Sequence, residues 1–324
     1  MADKIIYIGF SPEDIPEALG KNMELMAADH GFELVVSSDQ AEFDKVAEQV
    51  EIAIGGVPRK HLLLAPRLRW FQQFGTGMDW LISENEIRNS DITITNISDN
   101  HYNSLAEHMM ALLLAIVRQL HHSIRAQSDH RWHRSEKGRP VELCDMTLLL
   151  LGTGSIGKRV AELAGAFGMR VIGVRRNPDR ADIGITRCVA SADLLDVLPE
   201  ADIVANSLPL TPDTRHMVND SAFKAMKRSA IFLNVGRGGT VNEQDLIAAL
   251  QNGEIGAAGL DVFETEPLPS DSPLWDMENV IISGHFAGSS NSITTRRFEV
   301  VEDNLRRFLN GDPLRNVVDK QQCY

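Results

Sequence analysis

Short hydrophobic runs alternate with amphipathic segments along most of the chain, a pattern typical of parallel α/β sheets whose strands are buried on both faces. A long helical segment divides the runs into two series. We predict strands at Lys4–Gly9, Leu34–Ser37, Glu51–Gly55, Arg69–Phe74 and Ile92–Asn96 in the first series, and at Leu148–Leu151, Arg170–Val174, Asp202–Ala205, Ala230–Asn234, Ala257–Leu260 and Val280–Ser283 in the second.

Two long helical patterns bracket the second series of strands. The segment His101–Leu120 is apolar nearly all round, which predicts a buried helix. The segment Ser292–Leu309 is amphipathic and is followed by the helix-stopping pair Asn310-Gly311. Near the start of the chain, Ser11 and Pro12 suit the N-cap and first position of a helix.

A glycine-rich turn follows the first strand of the second series. In the stretch LGTGSIG, Gly152 allows a tight turn, Gly154 lets the backbone approach a pyrophosphate, and Gly157 lets a helix pack closely. That helix would supply free N–H groups to the phosphates at its amino end. Its apolar stripe, predicted to face a sheet, consists of Ile156, Val160, Leu163, Ala164 and Phe167.

The strand after this helix ends in two arginines. A dinucleotide fingerprint usually has Asp or Glu at this place, where its carboxylate binds the ribose hydroxyls. Here the residues are Arg175 and Arg176, and a guanidinium binds a 2′-phosphate that a carboxylate would repel. The pattern favours NADP(H) as the cofactor, with NAD(H) as the alternative.

The length and the position of the fingerprint predict two domains. A chain of 324 residues exceeds one typical core, and the fingerprint begins near residue 148. We therefore expect two Rossmann-like α/β domains with parallel sheets. Residues 101–290 would form a dinucleotide-binding domain inserted into a discontinuous substrate-binding domain made of residues 1–100 and 291–324.

Composition narrows the classes of partner. The net charge of −13 argues against nucleic acid and anionic membranes as general partners. Cys144, Cys188 and Cys323 have neither disulfide-framework nor metal-site spacing, so no metal is expected. The amino-terminal residues lack the apolar stretch of a signal peptide, and Leu105–Val117 is too short to cross a bilayer. We expect a cytoplasmic protein.

Three polar residues follow predicted strands of the second series, at the edge where open α/β sheets place their sites. Arg237 lies in NVGRGG, Glu266 in GLDVFETEPLP and His285 in HFAG. Each alone is compatible with a structural role, as a loop cation, a surface turn residue and a core histidine. Their succession behind a dinucleotide fingerprint favours catalysis.

The chain resembles the D-2-hydroxyacid dehydrogenase family over residues 70–290, and most closely its NADPH-preferring glyoxylate and hydroxypyruvate reductases. It departs from the family pattern at Gly284, where proline is usual, and at Asp99-Asn100, where a glycine-containing turn is usual. The matching stretches are FQQFGTGMD (Phe71–Asp79), LAEHMMALLLA (Leu105–Ala115), LGTGSIG, LPLTPDTRH (Leu208–His216), NVGRGG, GLDVFETEPLP and HFAG.

The resemblance implies reduction of small 2-keto acids to D-2-hydroxy acids by NAD(P)H. Arg237 would bind the substrate carboxylate and polarise the carbonyl, His285 would act as general acid, and Glu266 would orient the His285 ring and stabilise its protonated form. The Thr76 and Gly77 amides would hold the substrate carboxylate. Residues expected to bind the cofactor are Gly152, Gly154, Ser155, Ile156, Gly157, Arg175, Arg176, Leu208, Pro209, Thr214, Val235, Gly236, Arg237, Asp261, His285 and Ala287, with Asp261 accepting from the nicotinamide carboxamide.

Two further expectations follow from the resemblance. A homodimer would form through the nucleotide-binding domain, where the segment 121–140 is rich in His and Arg. Trp132 in that segment is a candidate for this contact or for a substrate pocket, with simple packing as the alternative. A binding function also stays open, because corepressors of the same family use NAD(H) as a sensor and keep the catalytic residues.

Overall fold

A computed structural model describes residues 3–98, 102–134, 139–179 and 184–324 of the chain. The chain divides into two compact units, Met1–His101 with Ser290–Tyr324, and Tyr102–Ser289. Each unit is built on one parallel sheet, and the second is inserted between two segments of the first. The predicted α/β fold class is confirmed. The Asp99-Asn100 departure lies outside the described residues.

The first unit contains a five-stranded parallel sheet with the order β2-β1-β3-β4-β5. This order is one of the two common arrangements of doubly wound folds, in which helices cover both faces of the sheet. The strands are β1 (Ile5–Gly9), β2 (Glu33–Val36), β3 (Val50–Gly55), β4 (Trp70–Gln72) and β5 (Thr93–Thr95). The helices before the crossing to the second unit are α1 (Glu17–Asp29), α2 (Gln40–Val46) and α3 (Asn85–Arg88).

The predicted start of the first helix is wrong. Pro12–Asp14 forms only a short 3-10 turn, and Ser11 makes no side-chain cap. Ile15 precedes Pro16 and is extended, because the proline ring disfavours the helical conformation in the residue before it. The α-helix therefore begins after Pro16, at Glu17.

The second unit contains a seven-stranded parallel sheet with the order β12-β11-β10-β9-β6-β7-β8. Counted from β6, this is the strand order of the dinucleotide-binding fold with one further edge strand. The order reverses between β6 and β9, so a crevice opens at their carboxyl ends. The strands are β6 (Thr147–Leu151), β7 (Arg170–Arg175), β8 (Arg187–Ala190), β9 (Ile203–Asn206), β10 (Ile231–Asn234), β11 (Ala257–Leu260) and β12 (Val280–Ile282).

The helices of this unit are α4 (Tyr102–Val117), α5 (Leu120–Ser128), α6 (Ser155–Ala166), α7 (Leu194–Val197), α8 (Asp220–Ala225) and α9 (Glu243–Gln251). The expected buried helix corresponds to α4, whose apolar residues form one core with α6 and the sheet. Gln119 has a left-handed backbone conformation, and the chain turns there into α5. In α6, Val160 and Ala164 are buried as predicted, but Phe167 is 42% exposed.

Helix α10 (Ile293–Asn310) brings the chain back to the first unit and is fixed there by buried amides. Asn304 donates to Gln72 Oε1 at 3.0 Å and to the Arg315 carbonyl at 3.1 Å, and its Oδ1 accepts from the Arg315 amide at 2.8 Å. The Thr95 hydroxyl donates to the same Gln72 oxygen and accepts from Trp70 Nε1. Buried polar groups need such partners, so this network ties α10 to β4 and β5.

None of the helices in the described part of the chain combines the length and the apolar character needed to cross a lipid bilayer.

Candidate active site

The turn after β6 has the geometry that its glycines predict. Gly152 has φ +92°, a conformation that side chains rarely adopt, and a Cβ on Gly157 would lie 2.2 Å from the Gly152 carbonyl oxygen. By contrast, nothing lies within 4 Å of the position that a Gly154 side chain would take. The amino end of α6 therefore begins in a tight turn with open space beside its backbone, which fits a pyrophosphate.

Arg175 and Arg176 lie at the carboxyl end of the neighbouring strand. Arg175 is the last residue of β7 and is half-buried, whereas Arg176 follows it and is exposed. Because β7 pairs with β6, both arginines stand at the same sheet edge as the glycine turn. This is the place of the ribose-binding carboxylate in NAD-binding units.

Buried amides shape the loops on the other side of the crevice. Asn206 and Asn234 are register partners at the ends of β9 and β10, and Asn206 Nδ2 donates to Asn234 Oδ1 at 3.0 Å. Asn206 also donates to the Thr240 hydroxyl at 2.7 Å and accepts from the Leu208 amide. Sequence patterns do not identify these residues, because their role depends on pairing between strands that are distant along the chain.

Arg237 lies in a loop whose glycines are required by close packing. A Cβ on Gly236 would lie 2.7 Å from the Leu208 carbonyl oxygen, and one on Gly238 would lie 1.9 Å from the Phe263 backbone. Only glycine at both places lets this loop pack against the segments after β9 and β11. The Arg237 side chain is partly exposed and donates to the Gly236 carbonyl at 2.8 Å.

His285 and Glu266 form a close pair. His285 Nδ1 lies 2.6 Å from Glu266 Oε2, and Glu266 Oε1 accepts from the Phe263 amide at 3.0 Å. An ionised carboxylate only accepts, so Nδ1 carries the proton in this bond and Nε2 is left for chemistry. The His285 side chain is 49% exposed, so its ring is accessible.

The segment that carries Glu266 is anchored to the start of α9. The Glu243 amide donates to Glu264 Oε2 at 3.0 Å, and the Glu264 amide donates to Glu243 Oε2 at 3.1 Å. Glu264 Oε1 also lies 2.5 Å from His216 Nε2. Burial raises the pKa of the Glu243 carboxyl, and the nearby Glu264 charge raises it further.

Asp261 organises the loop that carries His285. Its side chain is 1% exposed, and its Oδ1 accepts from the Ser283 hydroxyl at 2.6 Å and the Phe286 amide at 3.1 Å. Its Oδ2 accepts from the Ala287 amide at 3.0 Å, and its carbonyl accepts from the His285 amide at 2.8 Å. These bonds hold His285 at φ +55°, a left-handed conformation that costs a residue with a side chain about 1–2 kcal/mol. The expectation that Asp261 binds the nicotinamide stays a prediction.

The remaining cofactor candidates line the crevice in different ways. Pro209 is exposed and Leu208 partly buried, while the Thr214 hydroxyl lies 2.6 Å from the Pro209 carbonyl and so holds that loop. Val235 and Ala287 are buried, so they offer a cofactor only their backbone.

The loop with Thr76 and Gly77 follows β4 in the first unit. Both residues are partly exposed, and the Thr76 carbonyl accepts from Asn96 Nδ2 at 3.0 Å. Arg59 lies beside this loop, donates to Gln73 Oε1 and lies 4.5 Å from the centre of the Trp80 ring. Burial lowers the pKa of the Arg59 guanidinium. The sequence gives no signal for Arg59, since its contacts come from three separate segments.

The arrangement in the second unit supplies the groups for a hydride-transfer site. It combines a glycine turn whose geometry fits a pyrophosphate, a histidine oriented by a carboxylate, and an arginine in an adjoining loop. A proton donor and an anion binder beside a dinucleotide crevice fit the interconversion of a carbonyl and an alcohol.

Comparison with known proteins supports this interpretation. The family model described as "D-isomer specific 2-hydroxyacid dehydrogenase, NAD binding domain" matches residues 110–287. A glyoxylate reductase of Aeropyrum pernix is 38% identical over 79% of this chain and 78% of its own length. A glyoxylate/hydroxypyruvate reductase B of Yersinia pestis is 33% identical over 99% of this chain and 98% of its own.

A solved structure is similar in fold. The NADPH-dependent glyoxylate/hydroxypyruvate reductase of Sinorhizobium meliloti, in complex with NADP and sulfate, is 30% identical and has a TM-score of 0.83. The match covers 99% of this chain and 100% of that one. The protein is therefore an NAD(P)-dependent oxidoreductase, and it belongs to the D-isomer specific 2-hydroxyacid dehydrogenase family.

Proposed function

We propose that the protein reduces small 2-keto acids of the glyoxylate and hydroxypyruvate type to D-2-hydroxy acids, with NADPH preferred over NADH. The observation that carries the proposal is the 2.6 Å pair of His285 Nδ1 and Glu266 Oε2 at the carboxyl edge of the dinucleotide-binding sheet. The names of the reductases from Aeropyrum pernix, Yersinia pestis and Sinorhizobium meliloti support the substrate class.

His285 supplies the proton of the reduction. When bound, a reduced nicotinamide cofactor would supply the hydride for the carbonyl carbon of the keto acid. The carbonyl oxygen gains negative charge at the same time, and His285 Nε2 gives it a proton to form the hydroxyl group. Glu266 fixes the ring through Nδ1 and stabilises the imidazolium before transfer.

Arg237 binds and polarises the substrate. Its forked guanidinium matches the carboxylate of a 2-keto acid and also attracts the developing charge on the carbonyl oxygen. Because glycines fix its loop, the guanidinium is positioned without a large loss of backbone freedom on binding. The amides of Thr76 and Gly77 are the candidates for carboxylate binding in the first unit.

The cofactor is held by the residues of the crevice. The amides at Gly154 and Ser155 bind the pyrophosphate, and Arg175 and Arg176 bind a 2′-phosphate. The Sinorhizobium meliloti reductase is NADPH-dependent, which supports this preference. The other contacts are assigned to Gly152, Ile156, Gly157, Leu208, Pro209, Thr214, Val235, Gly236, Arg237, Asp261, His285 and Ala287.

We further propose a homodimer formed by the second unit. Leu120, Ile124 and Trp132 are exposed apolar side chains within a short stretch, and Trp132 is 82% exposed. Trp132 thus makes little contact with the described part of its own chain, and exposed apolar groups of this size are typical of contact surfaces.

Product analysis tests the proposed reaction. The purified protein is incubated with NADPH and hydroxypyruvate, and the glycerate formed is quantified and resolved by chiral chromatography. We expect one D-glycerate for each NADPH oxidised. An L-product would overturn the stereochemical assignment, and tight cofactor binding without turnover of any 2-keto acid would favour the sensor function.

A further inference from the structure

His108 lies on α4 and faces the loop that carries His285. Its Nε2 lies 2.8 Å from the Ser283 hydroxyl and 3.6 Å from Asp261 Oδ1. The His108 side chain is only 18% exposed. In the same helix, Met109, Leu112 and Leu113 are buried in the core that α4 forms with the sheet.

The hydrogen bonds around Ser283 have a defined direction. The Ser283 hydroxyl lies 2.6 Å from Asp261 Oδ1, and the ionised carboxylate can only accept, so the hydroxyl donates its proton there. The Ser283 oxygen then accepts from His108, whose Nε2 must carry a proton. His108 therefore ends a chain of donors that runs through Ser283 to Asp261.

Asp261 connects these hydrogen bonds to the loop that carries His285. Its two carboxylate oxygens accept from the Phe286 and Ala287 amides, which directly follow His285. The hydroxyl of Ser283 is its only side-chain donor within 3 Å among the described residues. Loss of that donor would weaken the fixed orientation of a carboxylate that is almost fully buried.

The loop needs this support because its own sequence does not favour its conformation. His285 has φ +55°, and the residue before it is Gly284, which adds backbone freedom. Nothing lies within 4 Å of the position of a Gly284 Cβ, so packing does not restrict that residue. The hydrogen bonds to Asp261 must compensate for the unfavourable conformation of His285 and for the backbone freedom of Gly284.

A second contact joins His108 to the same loop. The rings of His108 and Phe286 are 5.1 Å apart and perpendicular, an edge-to-face arrangement. Phe286 itself is 53% exposed. His108 thus contacts the loop on both sides of His285, through Ser283 and through Phe286.

We propose that His108 is a positioning residue of the reductase: acting through Ser283 and Asp261, it fixes the loop that presents His285 to the substrate. The catalytic part of this inference rests on the proposed function. His108 acts on His285 only through the loop, so its loss should lower kcat for hydroxypyruvate more than it raises the KM for that substrate.

Two substitutions separate the hydrogen bond from the ring contact. His108→Gln keeps a donor nitrogen near the position of Nε2, whereas His108→Phe keeps an aromatic edge against Phe286 but removes the donor. We expect kcat for hydroxypyruvate to fall about 10- to 100-fold in His108→Phe, since small misplacement of a catalytic group costs this much. In His108→Gln it should stay within about threefold of wild type, and in His108→Phe KM should rise by a smaller factor than kcat falls.

A double-mutant cycle tests the route through Ser283. Ser283→Ala removes the hydroxyl that links His108 to Asp261, so adding His108→Phe to it should reduce kcat by less than about twofold more. Losses that multiply would show that His108 acts independently of Ser283 and would overturn the proposal. His30 is an exposed histidine at the end of α1, and His30→Phe is the control for replacing a histidine by phenylalanine away from the loop.

Amide hydrogen exchange of the peptide spanning residues 283–288 tests the same inference without any activity. Exchange should accelerate in His108→Phe and Ser283→Ala but not in His108→Gln, because the Phe286 and Ala287 amides lose protection. If neither wild type nor any variant reduced a keto acid, the proposed function would be wrong. The exchange comparison would still decide whether His108 positions the loop, and unchanged exchange in His108→Phe would overturn that role.

Discussion

The backbone of His285 is held in place by other residues against its own preference. Its left-handed conformation is maintained by the buried Asp261, while Glu266 fixes the ring. The sequence alone identified His285, Glu266 and Arg237 as candidates, because polar residues after successive strands meet at one sheet edge. It could not identify the role of Asp261 in the loop or of His108, which depends on contacts across the fold.

Replacing Glu266 tests its effect on the proton donor. Glu266→Gln keeps a hydrogen-bond acceptor for Nδ1 but removes the charge that stabilises the imidazolium. The reduction requires a proton donor whose ring is held in position through Nδ1, so we expect kcat/KM for hydroxypyruvate to fall about 10- to 100-fold in the variant. Initial rates at saturating NADPH measure this loss. The assignment is rejected if kcat/KM is unchanged.

Two matched substitutions in strand β7 test whether Arg175 determines the choice of cofactor. Arg175→Ala should weaken NADPH binding about 10- to 100-fold, the loss of a charge-assisted bond to phosphate, and leave NADH binding almost unchanged. Arg170→Ala removes the same charge at the opposite end of β7 and should affect neither cofactor. Fluorescence titration of wild type and both variants with NADPH and NADH gives the six dissociation constants. Equal weakening of both cofactors by Arg175→Ala would contradict a 2′-phosphate contact.

At the level of elements, the hydrophobic pattern predicted eleven strands close to their observed positions and missed one. The missed strand, β8, contains Arg187 and Cys188 and lies at the edge of its sheet, so it lacks the buried apolar run of the others. The first helix was misplaced because Pro16 outweighs the capping pattern at Ser11-Pro12. Edge exposure and local proline sterics explain these two differences.

The buried amide network predicts a specific loss of stability. Asn304→Ala removes the donors and acceptor that join α10 to Gln72 and Arg315 and leaves buried polar groups without partners. We expect the free energy of unfolding of the first unit to fall by about 2–4 kcal/mol. Urea denaturation measures this change.

Asn310→Ala, at the exposed end of the same helix, is the matched control and should change stability by less than about 0.5 kcal/mol. If both variants were equally stable, the network would not be what holds α10 to the sheet.

At the scale of the whole molecule, one chain combines two parallel sheets with different strand orders. The unit with the glycine turn is inserted into the other, so the proposed catalytic pair and the proposed cofactor site lie in one continuous segment, Tyr102–Ser289. The sequence predicted this organisation from the late position of the fingerprint. It did not predict the loops of the first unit that would select the substrate side chain, because their shape depends on packing around residues such as Arg59.

The proposed dimer is tested by sedimentation at micromolar concentration. We expect a mass about twice the 35.9 kDa of the chain. The double variant Ile124→Glu with Trp132→Glu should sediment as a monomer, because it places charges on the exposed apolar stretch of the second unit. Leu25→Glu, at a comparably exposed position on α1, should remain dimeric. A monomeric wild type would refute the dimer.

Initial rates at 340 nm, which follow oxidation of NADPH or NADH by hydroxypyruvate in wild type and in His285→Gln, test the proposed reaction most directly. We expect rapid turnover by wild type, with a higher kcat/KM for NADPH than for NADH. We also expect a loss of about 10²- to 10⁴-fold in kcat when the general acid is removed. Turnover by His285→Gln at the wild-type rate would contradict the proposed mechanism.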